Sequence, residues 1–343
     1  MLYVPVVSGT GKPLMPCHPA RARELVRKGR AVRRFSRGMF YIRLLDRQDG
    51  DVQPIACGVD PGSKKEGFSV KSESHTYLNV QADAVTWVRD AIETRRQMRR
   101  TRRFRKTPCR QPRLNRARGD IPPSTKARWQ WKLRICRWLS RLYPIACFVV
   151  ENIKARTTGK RRWDVSFSPL QTGKKWFYGE LEKHAKVETK EGWETKELRD
   201  AHGLTKTGRK MSEVFEAHCV DAWVLANWWT GGHTKPDNTR LVCVSPLRFH
   251  RRQLHMLKPA EGGVRRAYGG TTSLGYKRGS TVKHPERGVC YVGGTMAGRI
   301  SLHSLFDGRR LCQNARPLDC KFLAYASWRA RLLPCLKTGV SAA

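Results

Sequence analysis

Apolar positions along this chain fall mostly into short runs separated by Gly, Pro and charged clusters. A Pro- and Gly-rich opening from Gly9 to Pro16 leads to a segment beginning at Pro19 and reading PARARELVRKG, whose spacing predicts a short helix stopped by Gly29. Ala31–Phe35 and Met39–Leu45 read as strands around a turn at Gly38, and 46–53 is a polar linker. Ile55–Val59 is a strand ending at Asp60. Pro61, Gly62 and Ser63 make a turn, and Gly67–Val70 and Thr76–Val80 continue the meander. A helix beginning near Ala84 runs into an arginine-rich stretch. After a Pro-rich break at 121–124, Thr125–Leu142 reads as an amphipathic helix carrying Trp129, Trp131 and Trp138. Ile145–Val150 is the strongest apolar strand and ends at Glu151. A helix over Pro169–His184, a strand over Ala185–Thr189 and a helix over Met211–Trp229 follow.

Three strands, helix, strand, helix, strand, helix predicts an α/β fold of RNase H-like order, a pattern that other α/β layouts share. Beyond Gly231 the character changes. Glycine pairs (Gly262 and Gly263, Gly269 and Gly270, Gly293 and Gly294) punctuate β-rich pieces such as Gly288–Val292 and Arg299–Leu302, predicting a small, twisted, barrel-like β domain.

Composition sharpens this picture. The chain has 343 residues, enough for two or three domains at about 150 residues each. Its 68 Lys and Arg against 28 Asp and Glu leave a net charge of +40. That field calls for a polyanion, and nucleic acid is the usual one. The expectation is a folded core with basic parts that order only when bound. No apolar run reaches the roughly 18 residues of a membrane span, and the start of the chain does not read as a signal peptide. Eleven cysteines without a C-x-x-C pair indicate neither a disulfide framework nor a zinc site. Cys57, Cys147 and Cys219 sit in apolar runs as small core residues, which points to a reducing cytoplasm.

Three carboxylates stand apart from the basic background. Asp60 and Glu151 each end an apolar strand, and Asp221 lies on an apolar helix. Strand ends of an open α/β sheet are where sites form. Carboxylates converging there need a cation, and Mg²⁺ fits because it takes hard oxygen ligands and leaves positions for water and phosphate. Two such ions, with Mn²⁺ as a substitute, would serve phosphodiester hydrolysis. His218, three residues before Asp221, shares its helix face and has the chemistry to take a proton from water. Each residue also has a plainer reading: Asp60 as the acceptor of a turn, Glu151 as a solvated strand end, His218 as a satisfied core histidine.

From Thr94 to Arg118 there are twelve basic residues and no acid: Arg95, Arg96, Arg99, Arg100, Arg102, Arg103, Arg105, Lys106, Arg110, Arg113, Arg116 and Arg118. A solvated face usually mixes signs. Arginine dominance favours bidentate phosphate contacts, so this segment should lie along an RNA or DNA backbone.

Several motifs now coincide. Pro13-Leu14-Met15-Pro16, the run from Cys17 to Arg23, and Ala31-Val32-Arg33-Arg34 resemble the opening PLMP unit of the transposon-encoded IscB and IsrB proteins. Gly58-Val59-Asp60-Pro61-Gly62 resembles their first RuvC motif, Val149-Val150-Glu151 the second, and the run from Glu216 to Ala222, with its H-x-x-D core, the third. The arginine tract is similar to their bridge helix. Arg251-Arg252-Gln253-Leu254-His255 through Tyr268-Gly269-Gly270 and Lys277-Arg278-Gly279-Ser280 are similar to their C-terminal domain. IscB carries an HNH nuclease domain between the second and third motifs. Here Glu151 and His218 are 67 positions apart with only His184 and His202 between them, so the resemblance is to IsrB, the form without HNH.

That resemblance implies a PLMP domain over 1–52 and a RuvC-like nuclease domain over 53–230 containing a bridge helix at 89–120. It implies a β-rich domain over 231–343 for contact with RNA and a target-adjacent motif. Asp60, Glu151, His218 and Asp221 would be catalytic, with Asp60, Glu151 and Asp221 holding metal and no organic cofactor. The partners would be a guide ωRNA and double-stranded target DNA, and the product a nick in the displaced strand, made by a monomer in a bacterial or archaeal cytoplasmic ribonucleoprotein near the nucleoid. Arg251 and Arg252, with Arg248, Arg265, Arg266, Lys277 and Arg278, would contact phosphate or base edges, and Tyr268 and Tyr276 would stack on nucleotides or fill the barrel. A junction resolvase acting without RNA and a non-catalytic transposon RNA-binding protein are the competing expectations.

Overall fold

The computed structural model describes residues 3–106, 121, 123–152, 169–247, 272–325 and 328–333. Its N-terminal unit is a four-stranded sheet, β1 (Val4–Val7), β2 (Pro13–Cys17), β3 (Ala31–Ser36) and β4 (Met39–Leu44), in the order β2-β1-β4-β3. The helix α1 (Pro19–Arg27) packs Ala22 and Leu25 onto buried Val4, Val6, Leu14, Ile42 and Leu44. It starts where the sequence places it, with Pro19 in the first turn and His18 Nδ1 accepting from the Ala20 N–H at 3.2 Å. It stops before Gly29, whose φ of +70° an L side chain rarely adopts. Part of the Pro- and Gly-rich opening is an edge strand: Pro13 and Pro16 lie on β2, where a missing N–H costs little.

The central sheet holds seven strands. β5 (Ile55–Asp60), β6 (Lys65–Ser72) and β7 (Thr76–Asp83) form the antiparallel meander; β8 (Ile145–Asn152) and β9 (Lys186–Glu191) add in parallel beside β5. With β10 (Leu241–Pro246) and β18 (Trp328–Leu332) the order is β18-β10-β7-β6-β5-β8-β9. The helices are α2 (Trp87–Phe104), α3 (Pro123–Ser140), α4 (Pro169–Leu181), α5 (Gly192–Ala201) and α6 (Phe215–Thr230). The molecule is a mixed α/β fold, and the predicted succession of strands and helices is present with one addition, α5. Its Glu191–Glu194 capping box starts a helix that weak apolar periodicity concealed.

Every residue of β5 is buried, because helices cover both sides. On one face Ile55, Cys57 and Val59 share a core with Trp129, Trp131, Ile135, Trp138 and Leu139 of α3. On the other, α6 lies directly on the sheet. A β-carbon at Gly58 would stand 1.8 Å from the Ala222 carbonyl oxygen, and one at Gly67 would stand 2.2 Å from that of His218. Some polar side chains facing α6 are paired: Ser69 donates to Asn79 at 2.7 Å, and Trp223 Nε1 donates to Thr76 at 2.9 Å. Lys71, wholly buried, donates to Asn227, Thr230 and the Gly231 carbonyl at the C-terminus of α6, where a cation is favoured.

The stretch after 231 does not form one separate unit. β10 pairs parallel with β7, and β18 pairs antiparallel with β10, so both belong to the central sheet. Between them β11 (Thr272–Ser273) and β12 (Tyr276–Lys277) form a small ribbon. β13 (Ser280–His284), β14 (Gly288–Met296), β15 (Arg299–Ser304), β16 (Arg310–Ala315) and β17 (Lys321–Tyr325) form a five-stranded antiparallel sheet around Val282, Cys290, Val292, Ile300 and Leu302. Trp328 then anchors β18 against Trp131 and Trp138 at centroid distances of 5.5 and 5.3 Å. Among the described residues no helix is long and apolar enough to cross a membrane.

Candidate active site

The parallel pairing of β5 with β8 places Val59 opposite Val150. Asp60 and Glu151, one residue further on, therefore emerge side by side at the C-terminal strand ends. The Gly67 and Gly58 gaps let α6 close over them, bringing His218 and Asp221 to the same spot. The four residues singled out in the sequence are thus gathered from three elements.

Their bonds are specific. His218 Nδ1 lies 3.0 Å from Asp60 Oδ2, and its Nε2 lies 3.0 Å from the Lys210 carbonyl oxygen. That carbonyl can only accept, so Nε2 is the donor there, and Nδ1 faces the Asp60 carboxylate. His218 is therefore buried with both ring nitrogens engaged, as a satisfied core histidine would be, and one of its partners is Asp60. The Glu151 and Asp60 carboxyls lie close enough to influence each other's ionisation. Burial, then the charge of Asp60, push Glu151 up to about 8. Burial also works against ionised Asp60. The His218 hydrogen bond and the charges of Lys206 and His218 outweigh it and hold Asp60 below the usual carboxylate range.

Two residues that sequence reasoning missed complete the site. Arg199 of α5 donates Nη1 to Asp221 Oδ1 at 2.6 Å. Lys206 donates to Asp221 Oδ2 and sits 3.8 Å from Asp60 Oδ2. Burial disfavours its ammonium, but Asp60, Asp221 and Glu151 together raise its pKa. Both lie in a mixed-charge stretch where nothing in the pattern marks them. A further buried carboxylate, Glu66, is pushed up to about 7 by burial, although Lys132 Nζ lies 2.5 Å from it.

The donor set suits a hard dication. Three carboxylates converge, and one of them, Glu151, is driven toward its neutral form by burial and by the charge of Asp60. Lys206 provides positive charge in this arrangement, and both Asp221 oxygens are occupied by Arg199 and Lys206. Accordingly, among the described residues no three His, Cys, Asp or Glu side chains stand at metal-ligand geometry.

Residues 4–163 match the family model of the RRXRR proteins. The RRXRR match covers slightly under half of the chain and includes the N-terminal unit, Asp60, α2 and Glu151, while His218 and Asp221 lie beyond it. No curated protein sequence matches significantly. Among solved structures, T. thermophilus RuvC in complex with a Holliday junction substrate is similar at 13% identity, covering 52% of this chain and 98% of its own, with a TM-score of 0.28. The yeast mitochondrial Holliday junction resolvase Ydc2 is similar at 12% identity, covering 53% and 80%, with a TM-score of 0.27. A further Thermus thermophilus RuvC structure is similar at 14% identity, covering 50% and 90%, with a TM-score of 0.24.

Inside the RRXRR-matched part, α2 carries Arg95, Arg96, Arg99, Arg100, Arg102 and Arg103, followed by Arg105 and Lys106. Apart from half-buried Arg102 these are exposed, and Arg96 pairs with Glu93 one turn back at 3.1 Å. Phe104 is 89% exposed beside them. Arg110, Arg113, Arg116 and Arg118, and in the C-terminal stretch Arg248, Arg251, Arg252, Arg265, Arg266 and Tyr268, lie outside the described residues. Lys277 stands over the Tyr325 ring at 5.5 Å. The Tyr276 hydroxyl donates to the Pro317 and Cys320 carbonyls, a structural placement.

Proposed function

We infer that the chain is a RuvC-type, RNase H-like endonuclease that cuts one strand of DNA under the direction of a bound guide RNA. The observation that carries the nuclease reading is the convergence of Asp60, Glu151, His218 and Asp221 at the ends of β5 and β8. RNA guidance is supported by the exposed, nearly unmixed arginine face of α2, whose charge has no use in a nuclease that needs only the sheet, and by the motif resemblance to IsrB.

In the reaction the oxygen of a water attacks phosphorus and the P–O3′ bond breaks, leaving a 5′-phosphate and a 3′-hydroxyl. Two Mg²⁺ ions held by Asp60, Glu151 and Asp221 would activate that water and stabilise the leaving oxygen. The protein's own groups prepare the site. His218 holds the Asp60 carboxylate through Nδ1 and donates Nε2–H to the Lys210 carbonyl, so in this arrangement it positions Asp60 and takes no proton from water. Glu151 must give up its proton before it can serve as a ligand. Lys206 must leave the space between Asp60 and Asp221.

The first test is to express the gene with its flanking DNA, purify the protein and sequence the accompanying RNA. One discrete structured RNA with a variable end, followed by plasmid nicking directed by that end, supports the reading. Cleavage of four-way junctions without RNA would replace it with a resolvase. In either assay Asp60→Ala should lower cleavage by at least about three orders of magnitude while nucleic-acid binding stays intact. An equal loss of binding would refute the assignment of Asp60 to the cleavage site.

A further inference from the structure

The outward face of α3 and the residue just past its end carry Lys126, Gln130, Arg134, Arg137 and Arg141, a stripe at spacings of three and four. Together with Arg37 in the turn between β3 and β4, and Trp176 and Glu180 of α4, they line an open cleft of about 570 Å³. Five cations face one carboxylate. That carboxylate is already engaged, Glu180 accepting from Arg137 and from Lys183, each at 2.6 Å.

Arg37 is the most informative residue. Its φ of +51° lies in the left-handed region, at a position of a two-residue hairpin turn where Asn or Gly is usual. Arginine there costs about 1 kcal/mol. The turn is clamped: Trp138 Nε1 donates to the Ser36 carbonyl and Trp328 Nε1 to the Arg37 carbonyl, both at 3.2 Å. The guanidinium lies over the Trp328 ring, 4.6 Å from its centroid. Its Nη1 is buried and has no hydrogen-bond partner among the described residues. Burial, with the charges of Arg134 and Arg141, lowers the guanidinium pKa. The clustered like charges and the Arg37 donor without a partner are both answered by one anion.

We propose that this cleft binds the phosphodiester backbone of a nucleic-acid strand, with Arg37, Arg134 and Arg141 at the phosphates and Trp176 beside a sugar or base. α3 covers the sheet face opposite α6, so the cleft opens on the other face of the sheet from α6 and His218. The cleft stands on its own geometry and does not depend on the carboxylates being a nuclease.

The test uses the full-length protein, freed of nucleic acid in high salt and kept in EDTA. Binding to single-stranded RNA and to DNA of the same sequence is followed by fluorescence anisotropy over a series of salt concentrations. Arg134→Gln with Arg141→Gln changes two exposed side chains, so folding is retained and is checked by thermal melting. With two phosphates no longer neutralised, the slope of log affinity against log salt should fall by about 1.4. Arg134→Lys with Arg141→Lys should keep most of the slope. A slope change confined to the RNA probe assigns the strand to RNA, and one confined to DNA assigns it to DNA. An unchanged slope in the Gln pair, or an equal loss in the Lys pair, overturns the proposal.

Discussion

Glu151 and Lys206 describe the same imbalance from opposite sides. Burial and the neighbouring Asp60 hold the Glu151 carboxyl up to about 8, so at neutral pH it is largely protonated in the metal-free protein. A metal ion needs the carboxylate and must displace that proton. Metal affinity should therefore rise about tenfold per pH unit below 8 and level off above it, measured by Mn²⁺ calorimetry at several pH values. Glu151→Gln should bind more weakly with a flat profile. The linkage to folding runs the other way. A group whose folded pKa is raised binds more protons when folded, so its contribution is full below about 4.5 and is lost as pH rises toward about 8. In EDTA the melting temperature should fall over that window, less so in Glu151→Gln. Lys206 supplies the charge that a metal would bring. Lys206→Met should cost up to about 3 kcal/mol in EDTA and tighten Mn²⁺ binding several-fold, read by melts and calorimetry. Unchanged affinity would show that Lys206 does not compete for the site.

Among the elements, the decisive contact is β5 and β6 against α6. Gly58 and Gly67 remove the side chains that would keep the helix away, and that proximity puts His218 within 3.0 Å of Asp60. Gly58→Ala pushes a methyl into the Ala222 carbonyl and should destabilise by about 3 kcal/mol or more in urea unfolding. Weakened metal binding should accompany it, because Asp221 rides on the same helix. A milder cost would mean that α6 can shift without breaking its bonds to Lys71. The helix α3 has the opposite character: its buried side is almost entirely apolar, leaving its outward face free to be cationic.

Among the described residues, Asp60, Glu151 and Asp221 gather where α6 meets the sheet, while α2 and the α3 cleft present clustered basic groups. Neutralising Arg99, Arg100, Arg102 and Arg103 together on α2 should weaken RNA binding and reduce its salt slope by about 0.7 for each phosphate that is no longer neutralised, measured by filter binding across a salt series. An unchanged slope would mean that α2 does not lie along the RNA backbone. The N-terminal sheet meets the core through Trp138 and Trp328, whose indole N–H groups both hold the β3–β4 turn.

Local pattern was enough for the central meander, for β8, and for Asp60, Glu151, His218 and Asp221 as the candidate site, because buried strands are continuous apolar runs and a polar residue ending one stands out. The arginine-rich face of α2 was equally visible, since charge is a property of composition. The rest depended on contacts between distant segments. Nothing local says that β10 and β18 join the central sheet, because strand pairing is chosen by partners some 90 residues apart. Nor does sequence show that Lys206 and Arg199 occupy Asp221, or that both nitrogens of His218 are engaged. A long charged side chain reads as a surface residue until the fold supplies a buried carboxylate for it to meet.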